Sequence, residues 1–230
     1  TQSEFLANMS HEFRTPLSTI LSSADLIEAY QQGEQQSKRM RHTRRIKTAV
    51  ANLTSILNDF LSLSRLEEGK LSLNPSEFEI PAVWTEVAEG VQGMLKKGQQ
   101  LRVEGLEQVP VLNTDRRILQ NILYNLLSNA IKYSSSGSPI DCRLKTKEGK
   151  LLIEIQDYGI GIPESEQQHL FTRFFRAHNV ENIQGTGLGL NIVKGYVDLL
   201  NGEISFESVL DKGSTFRVEI PLQQQTLAYS

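Results

Sequence analysis

The hydrophobic period changes once along this chain, near residue 75, and that change limits the fold more than any single residue does. Before it, apolar residues step by three and four: Leu6, Met9, Phe13, Leu17, Ile20, Ala24 and Ile27, then Ile46, Val50, Leu53, Leu57 and Phe60. This is the stripe of an amphipathic helix, twice over. The polar stretch "QQGEQQS" at 31–37 separates the two, and Gly69 in "RLEEGK" is a helix stop. Helices of about 30 residues are roughly 45 Å long, so the pattern predicts a long helical hairpin. Two helices leave one side of their seam open to water. Burial then asks either for a second copy, closing a four-helix bundle, or for packing on the rest of the chain, and we expect the dimer.

After "NPSEFEI" the pattern becomes mixed. Helical segments are expected near 81–97, 115–133, 164–172 and 187–201. Strands are expected at 100–104, 109–113, 140–147, 151–157, 203–209 and 215–221, where alternation is visible in Leu151, Ile153 and Ile155 or in Phe216, Val218 and Ile220. Helices and strands mixed in this way predict a two-layer α/β sandwich.

Composition narrows the function classes. A net charge of −3 leaves no broad nucleic-acid footprint, and the one basic run, Lys38, Arg39, Arg41, Arg44, Arg45 and Lys47, reads as a solvated helix face or a docking patch. Cys142 is the only cysteine, which excludes an internal disulfide and a thiolate zinc cluster and fits a reducing compartment. No apolar run is long enough to span a membrane and no export signal opens the chain. The expected location is therefore cytoplasmic, with no membrane contact from this segment. Because the chain opens on Thr1, we expect it to be a piece of a longer polypeptide, which leaves room for a membrane anchor upstream.

Four stretches in the second half carry chemistry. In "NILYNLLSNAIKYS", Asn125 and Asn129 stand four apart on one helix face, with Lys132 and Tyr133 just beyond. Carboxamide oxygens suit Mg²⁺ and a lysine suits phosphate; the alternative is two amides satisfied by backbone. In "QDYGIGIPE", Asp157 ends a strand and meets Gly159 and Gly161. There a carboxylate can accept a purine amine while the glycines let a flat ligand approach. In "QGTGLGLNIVKGY", Gly185, Gly187 and Gly189 lead into a helix, whose N-terminal N–H groups and dipole favour an anion. In "DKGSTFRVEI", Gly213 marks a turn between strands. None of these is a lysine-bearing phosphate loop. In the first half, "SHEFRTP" sets His11 about 200° round the helix from Met9 and from Phe13, away from the apolar stripe.

Taken in order, these stretches resemble the core of a sensor histidine kinase of two-component signalling. "FLANMSHEFRTPLSTI" is similar to its histidine box, "NLLSNAIKYS" to its asparagine box, "DYGIGIP" and "GTGLGL" to its glycine boxes and "FTRFFR" to its phenylalanine box. The resemblance implies a dimerisation and phosphoacceptor domain at 1–67, a linker at 68–75, a catalytic ATP-binding domain of the gyrase and heat-shock-chaperone type at 76–223, and a tail at 224–230. It implies His11 as phosphoacceptor, Glu12 as its base and Thr15 as the residue that positions a water for dephosphorylation. It further implies Asn129 as Mg²⁺ ligand with Asn125 assisting, Lys132 on phosphate, Tyr133 beside the nucleotide and Asp157 on adenine. Gly159 and Gly161 would shape that wall, and Gly185, Gly187 and Gly189 the lid hinge.

ATP, Mg²⁺, a homodimer partner and the receiver domain of a response regulator follow from the same resemblance, as does phosphatase activity toward that regulator. The lid "AHNVENIQ" lacks the further arginine or lysine common in the family, leaving Arg173 or Arg176 for the γ-phosphate. Pro16, inside a helix, removes one N–H and crowds the Glu12 carbonyl, so a kink is expected there. The rival readings are a stand-alone ATPase of the same nucleotide fold and a nucleotide-binding scaffold without transfer activity.

Overall fold

The computed structural model describes the chain apart from residues 1, 31–34, 70, 181–182, 184 and 224–230; for residues 2–9 and 11 it describes the helical backbone alone. The expected tail at 224–230 and most of the "QQGEQQS" interruption therefore lie outside the described residues. The chain divides into two compact units, Thr1–Arg65 and Leu66–Ser230.

The first unit is built by α1 (Gln2–Ala29) and α2 (Gln36–Glu67), a helical hairpin. In α2 the buried residues are His42, Ala49, Ile56 and Leu63, one every seventh position, and in α1 Pro16 and Ser23 are spaced the same way. That repeat is the signature of helices packing along a narrow seam. It overlaps the stripe read from the sequence only in part. Ile20, Ile27, Leu53 and Phe60 of that stripe, four residues past Pro16, Ser23, Ala49 and Ile56, are half-buried beside the seam, whereas Leu17, Val50 and Leu57 are about half exposed, together with Leu21, Met40 and Leu61. At the hairpin end Arg39 donates to the Tyr30 carbonyl at 2.9 Å, and the Tyr30 ring lies 5.7 Å from that of His42. Helix α1 continues through Pro16, and the Thr19 hydroxyl donates to the Thr15 carbonyl at 3.0 Å.

In the second unit the elements are β1 (Ser76–Phe78), α3 (Ile80–Gln92), β2 (Gln100–Glu104), β3 (Leu112–Thr114), α4 (Arg116–Tyr133), β4 (Pro139–Lys147), β5 (Lys150–Asp157), α5 (Glu164–Gln167), α6 (Gly189–Leu199), β6 (Glu203–Val209) and β7 (Gly213–Pro221). A five-stranded sheet runs β2-β4-β5-β7-β6, with β2 parallel to β4 and every other pair antiparallel; β1 and β3 pair separately. The two-residue loop Glu148–Gly149, both residues left-handed, makes the tight turn that antiparallel strands with right-handed twist favour.

One face of the sheet is the core. Ile140, Cys142 and Leu144 of β4, Leu151, Ile153 and Ile155 of β5, and Val218 and Ile220 of β7 are buried, facing Leu119, Leu123, Leu126 and Leu127 of α4 and Ile192, Val193 and Val197 of α6. This is the predicted two-layer sandwich. The other face carries charge: Arg143 and Arg217 both pair with Glu154, at 2.9 and 2.8 Å, and Arg217 reaches Glu207 at 2.7 Å.

Some boundaries differ from the expected ones. Helix α3 stops at Gln92, because residues 93–99 turn back to bind the end of α4. Helix α5 is a single turn, and residues 168–175 form successive turns in place of the helix expected to 172. The strand expected at 109–113 is β3 at 112–114, and its partner β1 was too short to show a period.

Candidate functional site

The site is assembled where α4, the end of β5 and the start of α6 meet. Asp115 caps α4, its Oδ1 accepting from the Arg117 and Ile118 N–H groups at 3.0 and 3.3 Å and its Oδ2 from the Asn74 N–H at 2.9 Å. This fixes the start of the helix. Its apolar side is fully buried, while Asn125 and Asn129 lie at the margin of that side, half-buried. The Asn125 Nδ2 donates to the Asn121 carbonyl at 2.9 Å, which turns its Oδ1 outward. A Cβ at Gly189, the first residue of α6, would stand 3.1 Å from that Oδ1 and 3.9 Å from Asn129 Nδ2. Both carboxamides thus face the N-terminus of α6. Leu188, the residue before that helix, offers no side-chain cap to its N–H groups, which leaves them for an anion.

Asp157 is the fourth member of the inward row Leu151, Ile153, Ile155, Asp157, which explains why its carboxylate is buried. Burial pushes its pKa up to about 6, against the opposing pull of the Gly159 and Ser214 N–H groups; the Gly159 bond to Oδ1 is 2.9 Å. Gly159 lies so close to the Tyr133 carbonyl that a Cβ would collide with it. The Ile160 N–H donates to that same carbonyl at 3.3 Å, tying the loop after β5 to the end of α4. Tyr133 is half-buried, its phenol raised by desolvation, and the Lys132 ammonium stands 4.9 Å from its ring centre, beside Gly185. Gly187, at φ 70°, packs against the backbone of Phe174, itself left-handed at φ 59°, so only a residue without a side chain fits there.

The ten positions picked from the second half of the sequence, Asn125, Asn129, Lys132, Tyr133, Asp157, Gly159, Gly161, Gly185, Gly187 and Gly189, all lie in this unit, on α4 and on the segments running out of β5 and into α6. His11, Glu12 and Thr15 lie on α1 in the first unit, Glu12 half-buried and Thr15 exposed; the His11 side chain is outside the described ones. Arg176 donates to the carbonyls of Val180, at 2.8 Å, and Ile183, and Arg173 pairs with Glu67, so both cations have protein partners.

The sequence reading passed over three polar residues. Asn191 donates to the Phe171 carbonyl at 2.8 Å, Asn179 to the Gly161 carbonyl at 3.1 Å, and Gln99 reaches the end of α4. Asn191, the one amide of α6, was a signal that could have been used. Among the described residues no cluster of three His, Cys, Asp or Glu could hold a metal, and no helix is long and apolar enough to cross a membrane.

This geometry can hold a purine against a buried carboxylate, phosphates at a helix N-terminus and a hard cation at carboxamide oxygens. Residues 114–224 match the model of the histidine kinase-, DNA gyrase B- and HSP90-like ATPases, and residues 1–69 that of the His Kinase A (phospho-acceptor) domain. The chain is 35% identical over 229 residues to the circadian input-output histidine kinase CikA of Synechococcus elongatus, covering 97% of this chain and 30% of CikA. It is 33% identical to the autoinducer 2 sensor kinase/phosphatase LuxQ of Vibrio vulnificus, covering 97% of this chain and 27% of LuxQ. Full-length ShkA in complex with AMPPNP superposes with a TM-score of 0.67 at 27% identity, over 95% of this chain and 45% of that one. The histidine kinase ThkA in complex with the response regulator protein TrrA superposes at 0.68 and 22% identity, over 97% and 62%. The two halves are therefore a phosphoacceptor hairpin and an ATPase-type catalytic unit. The chain belongs to the histidine kinases, and it spans about a third or less of the curated relatives it matches.

Proposed function

We propose that this chain is the kinase core of a two-component sensor. It moves the γ-phosphoryl group of ATP to His11 and then to an aspartate of a response regulator. The observation that carries the reading is the junction of α4, β5 and α6, where the carboxamides of Asn125 and Asn129 face a helix N-terminus without a side-chain cap and a buried carboxylate closes the far side. Residues 1–67 act as the phosphoacceptor domain, 68–75 as linker and 76–223 as the catalytic domain. Asp157 accepts the exocyclic amine of adenine, and Gly159 and Gly161 shape that wall by seating the loop against the Tyr133 and Val209 carbonyls. Tyr133 borders the nucleotide. Lys132 and the N–H groups opened by Gly185, Gly187 and Gly189 hold phosphate.

Mg²⁺ fits the donor set. Asn129 and Asn125 would hold it through neutral oxygens, hard donors of the kind this cation takes. When bound it offsets the charge of the phosphates. In the transfer a ring nitrogen of neutral His11 forms the bond to γ-phosphorus as the bond to the ADP oxygen breaks. Glu12 holds the proton on the second ring nitrogen and so fixes the tautomer. The phosphoryl group then passes to a regulator carboxylate, and Thr15 orients a water for its later hydrolysis, in keeping with the similarity to LuxQ, a sensor kinase/phosphatase by name.

The exposed aliphatic face of the hairpin, Leu17, Leu21, Val50, Leu57 and Leu61, supports a homodimer that closes a four-helix bundle. A chain that consumes ATP and carries one unpaired cysteine belongs in the cytoplasm. The test is incubation with γ-labelled ATP. Wild type becomes labelled on a group that is acid-labile and base-stable. His11→Gln binds nucleotide with unchanged affinity and takes up no label. Label retained in that variant overturns the assignment.

A further inference from the structure

The C-terminal end of α4 raises an accounting problem. A helix leaves its last four carbonyls without intrahelical donors, and the common remedy is a left-handed glycine just past the end. Here the residue after the helix is Ser134, at φ −88° and ψ 156°, fully extended. The donors come from a segment some 35 residues earlier in the chain, the "LKKGQ" turn at 95–99, which lies in none of the sequence motifs. Gln99 Nε2 donates to the carbonyls of Ile131 and Ser135 at 3.2 and 3.1 Å. Lys96 Nζ donates to those of Lys132 and Ser134 at 2.7 and 2.5 Å. The remaining carbonyl in the run, Tyr133, takes the Ile160 N–H at 3.3 Å. Every carbonyl from 131 to 135 is thus engaged from outside the helix.

The turn that supplies these donors is itself held. Gln99 N–H donates to the Lys96 carbonyl at 3.0 Å, Gln99 Oε1 accepts the Lys96 N–H at 2.8 Å, and the Gly137 N–H donates to the Lys97 carbonyl at 3.0 Å. Gln99 is 6% exposed and its amide is used at both ends. A glutamate there would set a carboxylate against two carbonyls, and a methionine would leave both unpaired. Lys96, at the surface, adds a cation at the negative end of the helix.

We infer that Gln99 and Lys96 are positioning residues of the nucleotide site: they fix the last turn of α4, and with it the place of Lys132 and Tyr133 and the loop that carries Asp157. The chain of contacts is direct. Lys96 holds the Lys132 carbonyl, the next carbonyl binds the Ile160 N–H, and Gly159 is seated against that same Tyr133 carbonyl one residue away from Tyr158 and two from Asp157. A displacement of 131–135 moves both the phosphate-side lysine and the purine wall. Asn129, a turn earlier and held by the helix itself, stays in place. Release of the clasp should therefore weaken nucleotide binding and spare the transfer step. This rests on the nucleotide reading above.

The experiment uses the whole chain and measures the ATP dissociation constant by calorimetry, KM and kcat of autophosphorylation, and the thermal midpoint. Lys96→Met, a surface change that keeps the stem, is expected to raise Kd and KM roughly fivefold to tenfold with kcat within about twofold of wild type. Lys96→Arg, which restores a cation with several donors, brings both constants back toward wild type. Gln99→Met is expected to raise them further. A lowered thermal midpoint with wild-type Kd and KM in both methionine variants marks a plain helix cap and overturns the inference. Wild type failing to bind ATP at all overturns the nucleotide reading instead.

Discussion

Asp157→Asn should make the nucleotide-free protein more stable while removing its grip on adenine. The carboxyl sits at the inward end of β5 with its pKa raised from 3.8 to about 6, chiefly by burial. A carboxyl raised in this way holds its proton better in the folded chain than in the unfolded one. Between those two values the folded state therefore binds more protons, and stability falls as pH rises. Above pH ~6 the full cost of keeping the charge buried is present, about 3 kcal/mol for a shift of this size. An amide of the same shape still accepts from the Gly159 N–H and carries no charge, so the variant escapes most of that cost. For a domain of this size the gain corresponds to an increase of about 6–12 °C in the thermal midpoint.

The assay is calorimetric unfolding without nucleotide at pH 8 and at pH 4. The variant's advantage should be large at pH 8 and should shrink toward nothing at pH 4, where wild type has taken up its proton. An advantage equal at both pH values, or none at pH 8, refutes burial as the source of the shift. With nucleotide present the order reverses, because wild type alone has the charged acceptor for the purine amine, and its ATP affinity should rise as pH passes upward through about 6.

Asn129→Asp keeps the shape of the side chain and adds a negative charge beside the phosphates; autophosphorylation should fall at least about a hundredfold in a protein with an unchanged thermal midpoint, measured with labelled ATP at saturating Mg²⁺. Thr15→Ala should keep autophosphorylation and forward transfer while losing most dephosphorylation of a phosphorylated regulator. Equal loss of both activities would instead point to a part of the Thr15 hydroxyl within α1, bonding back to a carbonyl one turn earlier and easing the strain before Pro16.

The second unit was largely legible in the sequence because its strands are half-buried and its central helix is amphipathic. The alternation Leu151, Ile153, Ile155 located β5 to within a residue, and continuing it by two would have announced that Asp157 faces inward. The glycines were legible as a group, since close backbone approach leaves a compositional mark. The end of α3 was not. Leu95, Lys96 and Lys97 are acceptable helix residues, and what turns them out of a helix is the demand of the α4 carbonyls far along the chain, a tertiary effect with no local sign. The truncation of α5 has a similar cause, as Phe171 answers to Asn191 rather than to its neighbours.

In the hairpin, helix existence was legible and the packed face only in part. Ile20, Ile27, Leu53 and Phe60 of the apolar stripe flank the seventh-residue seam, but Leu17, Val50 and Leu57 turn outward, and the seam includes His42 and Ala49, which a search for large apolar residues passes over.

The segment between Phe174 and Gly187 is closed at its base, by the contact of those two backbones and by the Asn191 bond to Phe171 just outside it. For a loop tethered in this way, doubling the length costs only about 0.6 kcal/mol of closure entropy. Length can therefore vary in this stretch at little entropic cost, but its residues are not freely exchanged: Asn179 holds the Gly161 carbonyl, Val180 is buried and Gly185 lies against the Lys132 ammonium.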